Sequence, residues 1–469
     1  MRFYNRETEL NNLQKAWNSS EAQFVLLYGR RRVGKTYLLQ HFLDSDHPHC
    51  YYLAAQTSLA DNISQLAEAV IRYDPDSELS VNDLPTFRSI LAFLDRLAKK
   101  TRFALVIDEF QYLIEQDKSI PSQLQAWWDT KGIRSNIFLV LCGSHLGIME
   151  NLGGSQAPLF GRFTMRKKLA PMSYLDTLSF HAESNYSVRD LLTTYAILGG
   201  TPKYHASFDP DLCLDDNIVG TIMSPSGIFH NEPEILISSS QVRDPSPYNG
   251  VLAAIAGGCS KSNEISQRVG IATNNFHFFA KTLTEWEWII KEYPFKTTSD
   301  SRSIYKINDH FLHYWYRFVL KLRSDLIFND PKIVYEARVK PYINQYIGQY
   351  AFENICWQYI KKHGAQLFGE LIRDGGRFWT RDGKTELDIV CEQDNNRLIV
   401  GECKWSSSPL DVTAYYELRE KAATISGITR SDIAVYILFS LAGFDENLYK
   451  ISERENLFLI TGEDLVHRR

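Results

Sequence analysis

The sequence has no C-x-x-C pair, and its seven cysteines are an odd number. This excludes a complete disulfide framework, argues against a structural zinc site and predicts reduced thiols. No apolar run approaches the roughly 20 residues that a membrane-spanning helix needs; the longest, such as 137–142, are strand-sized. Met1-Arg2-Phe3 begins no basic-then-apolar leader. An excess of one charge is missing too: 51 Lys plus Arg stand against 56 Asp plus Glu, a net charge of −5. Any nucleic-acid surface must therefore be local. What is plentiful is core material, with 44% apolar and 13% aromatic residues in 469, enough for about two to four domains. These features predict a soluble, cytoplasmic chain without a membrane partner.

Against these absences stands one dense motif. Gly29-Arg30-Arg31-Arg32-Val33-Gly34-Lys35-Thr36 has the G-x-x-x-x-G-K-[ST] spacing of a phosphate-binding loop, set between the apolar run 24–28 and the helix-forming run 37–43. Gly29 and Gly34 let consecutive backbone N–H groups curl around a β-phosphate at a helix amino terminus. Lys35 reaches the β/γ oxygens, Thr36 offers its hydroxyl to Mg²⁺, and the nucleotide-binding stretch runs from Gly29 to Tyr37. No Asn-Lys-x-Asp run, which would read guanine, is present, so ATP is the expected nucleotide.

Further strand-like runs at 50–53, 103–107, 137–141 and 163–169 alternate with helical stretches, predicting a parallel, doubly wound α/β sheet. The run at 103–107 ends in Asp108-Glu109. Asp108 suits the carboxylate that holds Mg²⁺, and Glu109 suits the base that orients an attacking water. Ser144, after the run at 137–141, is a candidate sensor of the γ-phosphate, though a helix cap would use the same residue. Arg162, after Gly161, is a candidate arginine finger and would act in trans only in a homo-oligomer. Arg30, Arg31 and Arg32 add local positive potential.

Together with Phe3-Tyr4-Asn5-Arg6-Glu7, Asp108-Glu109-Phe110-Gln111, Gly143-Ser144 and Gly161-Arg162, the loop resembles the archaeal-type ATPase family, a branch related to AAA+ and STAND ATPases. The resemblance implies that Arg6 lies beside the nucleotide and that a helical lid follows at 191–204. Gly199-Gly200-Thr201-Pro202 would also encode a helix stop unaided. Domain bounds read this way are 1–170 for the ATPase core, 171–245 for the lid, 246–325 for a winged helix and 326–469 for a further domain.

The winged-helix reading rests on an amphipathic stretch at 262–269, a turn at Gly270, a helix at 273–286 capped by Thr273, and two strands, 288–293 and 303–307. Asn274, Asn275, His277 and Lys281 would face DNA, with Lys296 and Arg302 on the wing; a protein-binding spacer has the same outline. The aromatics Phe311, Tyr314, Trp315, Tyr316 and Phe318 recur at helical spacing among Leu312, Val319 and Leu320, and read as domain-interface core more than as a base-stacking platform.

The last domain opens with a helix at 347–362. Asp388 lies on one predicted strand, and Glu402-Cys403-Lys404 ends the next, so Glu402 and Lys404 share a face. Two carboxylates and a lysine are the parts of metal-assisted phosphodiester hydrolysis, with Asp388 and Glu402 on Mg²⁺, Lys404 beside the water, and Glu353 as a further carboxylate. This pattern resembles the PD-(D/E)XK nuclease fold, a restriction-endonuclease-like α/β domain, with Leu387 where that fold's proline stands. The expected function is an ATP-hydrolysing switch on DNA coupled to a nuclease-like domain, in genome defence or on mobile elements. The alternative is a nucleotide-gated DNA-binding regulator that keeps an inactive nuclease fold.

Overall fold

The computed structural model describes residues 3–44, 47–74, 78–240, 242–425 and 432–467; Met1 and Arg2, read above for a leader, lie outside them. The chain divides into two compact units, Met1–Pro171 with Thr201–Lys203, and Met172–Gly200 with Tyr204–Arg469.

In the first unit β1 (Gln23–Tyr28), β2 (His49–Leu53), β3 (Phe103–Asp108), β4 (Ile137–Gly143) and β5 (Met165–Lys168) form one sheet in the order β2-β3-β4-β1-β5. Every pairing is parallel. β1, β3 and β4 are buried along their whole length, as parallel strands covered on both faces must be. Their alternate residues feed separate cores: Phe24, Leu26, Leu105 and Leu139 on one face, Val25, Leu27, Val106 and Val140 on the other. At ~1.5–3 kcal/mol for each large apolar side chain buried, this double cover fixes the strand register. β5 is the half-exposed edge of the sheet.

The second unit begins with helices, among them Val188–Leu198. Within the stretch 191–204 the helix stops where Gly199-Gly200-Thr201-Pro202 could encode a stop: Gly199 takes φ 62°, and Met172 donates its N–H to the Gly200 carbonyl at 2.7 Å. Helices Ser246–Ala256, Ser262–Val269 and Thr273–Glu285 follow, then the antiparallel pair β6 (Ile289–Glu292) and β7 (Ile304–Ile307). Thr273 is the first helical residue and not the cap; Ala272 holds the cap position and has no side-chain acceptor. Tyr314, Trp315 and Tyr316 are fully buried. Their polar tips are satisfied inside, Trp315 donating to the His230 carbonyl and Tyr316 to Asn249 Oδ1, both at 2.6 Å.

The expected helix over 347–362 is two helices, Lys340–Tyr350 and Phe352–Phe368, because the chain turns at Ala351. Next, β8 (Ile372–Trp379), β9 (Glu386–Gln393), β10 (Leu398–Lys404), β11 (Ile433–Ser440) and β12 (Leu457–Thr461) form a mixed sheet in the order β12-β11-β10-β9-β8. Its β8, β9 and β10 pair antiparallel, and β10, β11 and β12 parallel. Ile355 and Tyr359 of Phe352–Phe368 pack with Ile389 and Ile399, while Tyr415 and Leu418 of helix Val412–Ala422 pack with Val390 and Val400.

The β6–β7 hairpin covers the β8 edge. Phe295 donates its N–H to the Arg377 carbonyl at 2.7 Å and is buried in the same cluster as Leu387. Lys296 pairs with Glu392 at 2.8 Å, and Arg302 donates to the Trp379 carbonyl. This corrects the expectation that Lys296 and Arg302 face DNA: an open strand edge needs partners, and these side chains are engaged there. Among the described residues, no helix is long and apolar enough to cross a membrane.

Candidate functional site

In the first unit the motif residues meet at the carboxyl ends of β1, β3 and β4, where an open parallel sheet receives ligands. Gly34, at φ 93°, turns the chain into helix Lys35–Leu43, a backbone angle that a side chain would resist. Lys35 is 5% exposed, and its Nζ donates to the Gly29 and Arg30 carbonyls, each at 2.9 Å. Arg6 donates to the Ala170 and Val33 carbonyls at 2.7 and 3.4 Å, which ties the first helix to the loop. Arg31 donates to the Tyr112 hydroxyl at 3.2 Å, Arg32 takes φ 67°, and Val33 is buried. Phe3 stacks on His41, with centroids 4.0 Å apart, and lies 5.8 Å from the Tyr37 ring.

Asp108 is fully buried, and its Oδ2 accepts the Thr36 hydroxyl at 2.8 Å and the Tyr51 hydroxyl. Burial, then Asp108 itself, pushes the Tyr51 phenol well above its ordinary range, so it stays a donor. Glu109 bends off the strand at φ 54°, and its N–H donates to Asp108 Oδ1 at 2.9 Å. A left-handed glutamate is a strained backbone of the kind found at functional sites. Glu109 Oε2 accepts the Ser144 hydroxyl at 2.7 Å and the Gln111 amide. His145, not Ser144, caps helix Leu146–Leu152, its Nδ1 accepting the Ile148 N–H at 3.3 Å.

A Cβ on Gly143 would lie 2.4 Å from Gln111 Oε1 and 2.6 Å from Met149 Sδ. Gly143→Ala should therefore push Gln111 from Glu109, costing ~1–3 kcal/mol of stability. Thermal denaturation and steady-state assays should show a lower midpoint and a lower kcat, with the nucleotide Kd little changed.

One candidate is not brought to this cluster. Arg162 forms a two-pronged pair with Asp129, at 2.8 and 2.7 Å. A planar guanidinium matches a carboxylate fork so well that this local pair is its stable rest position. Arg162 thus rests on Asp129 and not in the cluster around Glu109.

In the second unit Asp388 Oδ2 accepts the Cys403 N–H at 2.8 Å. Burial first, then Glu353 and Glu402, push the Asp388 carboxyl up to about 7. Glu402 Oε1 accepts both Lys404 Nζ and Lys421 Nζ at 2.7 Å, while its Oε2 is buried with no hydrogen-bond partner among the described residues. Glu353 departs from expectation: Arg377 Nε donates to its Oε2 at 2.9 Å, and the same guanidinium reaches Glu292 at 3.3 Å. Among the described residues no three carboxylate, imidazole or thiol groups gather as a metal cluster. A buried carboxylate needs a counter-charge, and Arg377 supplies it to Glu353.

Four residues at these sites were not read from sequence as functional: Tyr51, Gln111, Arg377 and Lys421. Gln111 had a signal, two positions after the acidic pair. Lys421 had none, since only the packing of helix Val412–Ala422 brings it to β10.

A phosphate-binding loop with its lysine, a Thr–Asp hydrogen bond and a braced glutamate at the strand ends define the class: the chain is a P-loop ATPase, and it binds nucleotide. More narrowly, it carries the archaeal type of this domain: residues 3–208 match a family described as an ATPase domain predominantly from Archaea. Residues 315–421 match a second, described as "Archaea bacterial proteins of unknown function". An uncharacterized protein of Methanocaldococcus jannaschii is 25% identical over 86% of this chain and 87% of its own length. An uncharacterized ATP-binding protein of that organism is 51% identical over 9% of this chain and 73% of its own. Among solved structures, a Walker-type ATPase of Pyrococcus abyssi superposes with a TM-score of 0.51 at 20% identity, over 67% of this chain and 96% of that one. That likeness supports the α/β P-loop fold.

Proposed function

We propose that the chain is an ATP-driven switch acting on DNA, with a phosphodiester-handling site in a nuclease-like carboxyl-terminal domain. In this reading the Gly29–Thr36 backbone and Lys35 hold the β- and γ-phosphates of ATP. Ser144 and Gln111 keep the Glu109 carboxylate aimed at the attacking water, and Glu109 takes its proton. Thr36 and Asp108 form a hard-oxygen pair that fits Mg²⁺, and Asp388 with Glu402 offers a second. Mg²⁺ at either place would polarise a phosphate oxygen and lower the pKa of a bound water.

The observation that carries the DNA side is Glu402: a buried carboxylate oxygen with no hydrogen-bond partner among the described residues, beside Asp388, with two ammonium groups on its other oxygen. An orphaned buried oxygen costs about 1–3 kcal/mol or more, a cost that a bound cation would remove. The lysines then stand where a phosphate arrives. Asn274, Asn275, His277 and Lys281 line the exposed side of helix Thr273–Glu285 and supply the DNA-facing surface of the winged-helix reading. Incubating the chain with DNA and Mg²⁺ or Mn²⁺, with Lys404→Ala beside it, tests the proposal.

One observation favours a second reading. Arg377 already engages Glu353, the third carboxylate near Asp388, in an ion pair at 2.9 Å, which suits a domain that binds DNA without cutting it. Metal-dependent DNA binding without cleavage would select this regulatory role.

A further inference from the structure

Apart from both candidate sites, three cations converge, and among the described residues no carboxylate pairs with them. Arg268 lies in the last turn of Ser262–Val269, Arg317 in the π-helical turn Trp315–Val319, and Lys321 in the 3₁₀ turn Leu320–Leu322. Among the described residues none of them makes an ion pair; Arg317 reaches the Ala256 carbonyl at 3.5 Å. Burial, then Arg317 and Arg268, hold the Lys321 ammonium below its ordinary range. Like charges left together are destabilising unless something negative joins them.

The space beside them has a ligand's dimensions. A cavity of about 490 Å³ is lined by Arg268 and Lys321 together with Pro247, Ala253, Val269 and Ile271. Its opening depends on small residues: Gly250 also lines it, where a Cβ would lie 2.9 Å from Val269 Cγ1. Small-molecule sites are apolar concavities of ~300–1,000 Å³ with a few polar groups that fix orientation. Here the polar groups are cations and the wall is aliphatic.

We propose that this cavity binds an organic phosphate of mononucleotide size, its phosphate between Arg268 and Lys321 and its apolar body against Pro247, Val269 and Ile271. Arg268 supplies a fork matched to phosphate oxygens, Lys321 a point charge, and Arg317 the positive field behind them. A free nucleotide and the 5′-phosphorylated end of a nucleic-acid strand present this same chemistry.

The test uses the full chain carrying Lys35→Ala, which silences the phosphate-binding loop. Calorimetry with AMP, inorganic phosphate, and 5′-phosphorylated and 5′-hydroxyl oligonucleotides is paired with hydrogen exchange over 246–256 and 262–271. AMP should bind and protect both segments. Adding Arg268→Glu and Lys321→Glu should weaken it by about 100-fold, the scale of two charge-assisted hydrogen bonds, with a thermal midpoint no lower than that of Lys35→Ala alone, because the reversal relieves the like-charge cluster. Binding of the 5′-phosphorylated strand but not AMP supports the site and names a strand end as its ligand. Equal binding of 5′-phosphate and 5′-hydroxyl strands, binding that survives the double charge reversal, or no binding at millimolar probe overturns the proposal.

Discussion

Lys35→Ala is expected to lose ATP binding, with affinity falling ~10²–10⁴-fold, the scale of two hydrogen bonds to a charged group. The position of the ammonium is the reason. It is nearly buried and donates to the Gly29 and Arg30 carbonyls, so its reach covers the hollow of the loop. Alanine removes the only charge in that hollow contributed by a residue of the helix itself, while the Gly29 and Gly34 backbone that shapes it remains. Folding should persist, because Leu38, Leu39 and Phe42 of the same helix keep their core contacts. Titration with a fluorescent ATP analogue and a thermal melt of the same sample separate lost binding from lost fold. Wild-type affinity in a folded variant would contradict the assignment of Lys35.

The second large effect is expected at the other end of the chain. If the carboxyl-terminal domain cuts DNA, Lys404→Ala should lower cleavage by ~10²–10³-fold, the loss of several kcal/mol of charge stabilisation at a phosphate. Lys421 still neutralises Glu402 in that variant, so the fold should hold and the loss should be one of chemistry. Linear, supercoiled and branched substrates with Mg²⁺ or Mn²⁺ cover the choices that the sequence leaves open. Cleavage at the wild-type rate by Lys404→Ala would contradict the role of Lys404.

Much of the first unit was legible because its signals are local. A buried strand, a glycine-spaced loop and a helix adjoin in sequence, and Asp108-Glu109 is contiguous with the strand that positions it. The Thr36–Asp108 contact joins residues far apart in sequence, yet each was found from its own surroundings. What escaped was set by tertiary packing. Tyr51 reads as one more aromatic of an edge strand until β2 is paired beside β3. Lys296 and Arg302 look exposed in sequence because nothing local shows that the β8 edge needs covering. Arg162 follows the same logic: its motif position suggested a finger, while the nearby Asp129 carboxylate holds it in the folded chain. The break at Ala351 has no glycine or proline to announce it, whereas the helix stop at Gly199 is written locally in Gly199-Gly200-Thr201-Pro202.

Glu109, braced by Ser144 and Gln111, is proposed as the base of the ATP-hydrolysing P-loop site. The most direct measurement is nucleotide recovered with purified Glu109→Gln chain after incubation with ATP and Mg²⁺, read beside single-turnover hydrolysis. Glutamine keeps the side-chain length but cannot take a proton, so hydrolysis should slow by ~10²–10⁴-fold and the recovered nucleotide should be ATP. Hydrolysis at the wild-type rate, with ADP recovered, would contradict it.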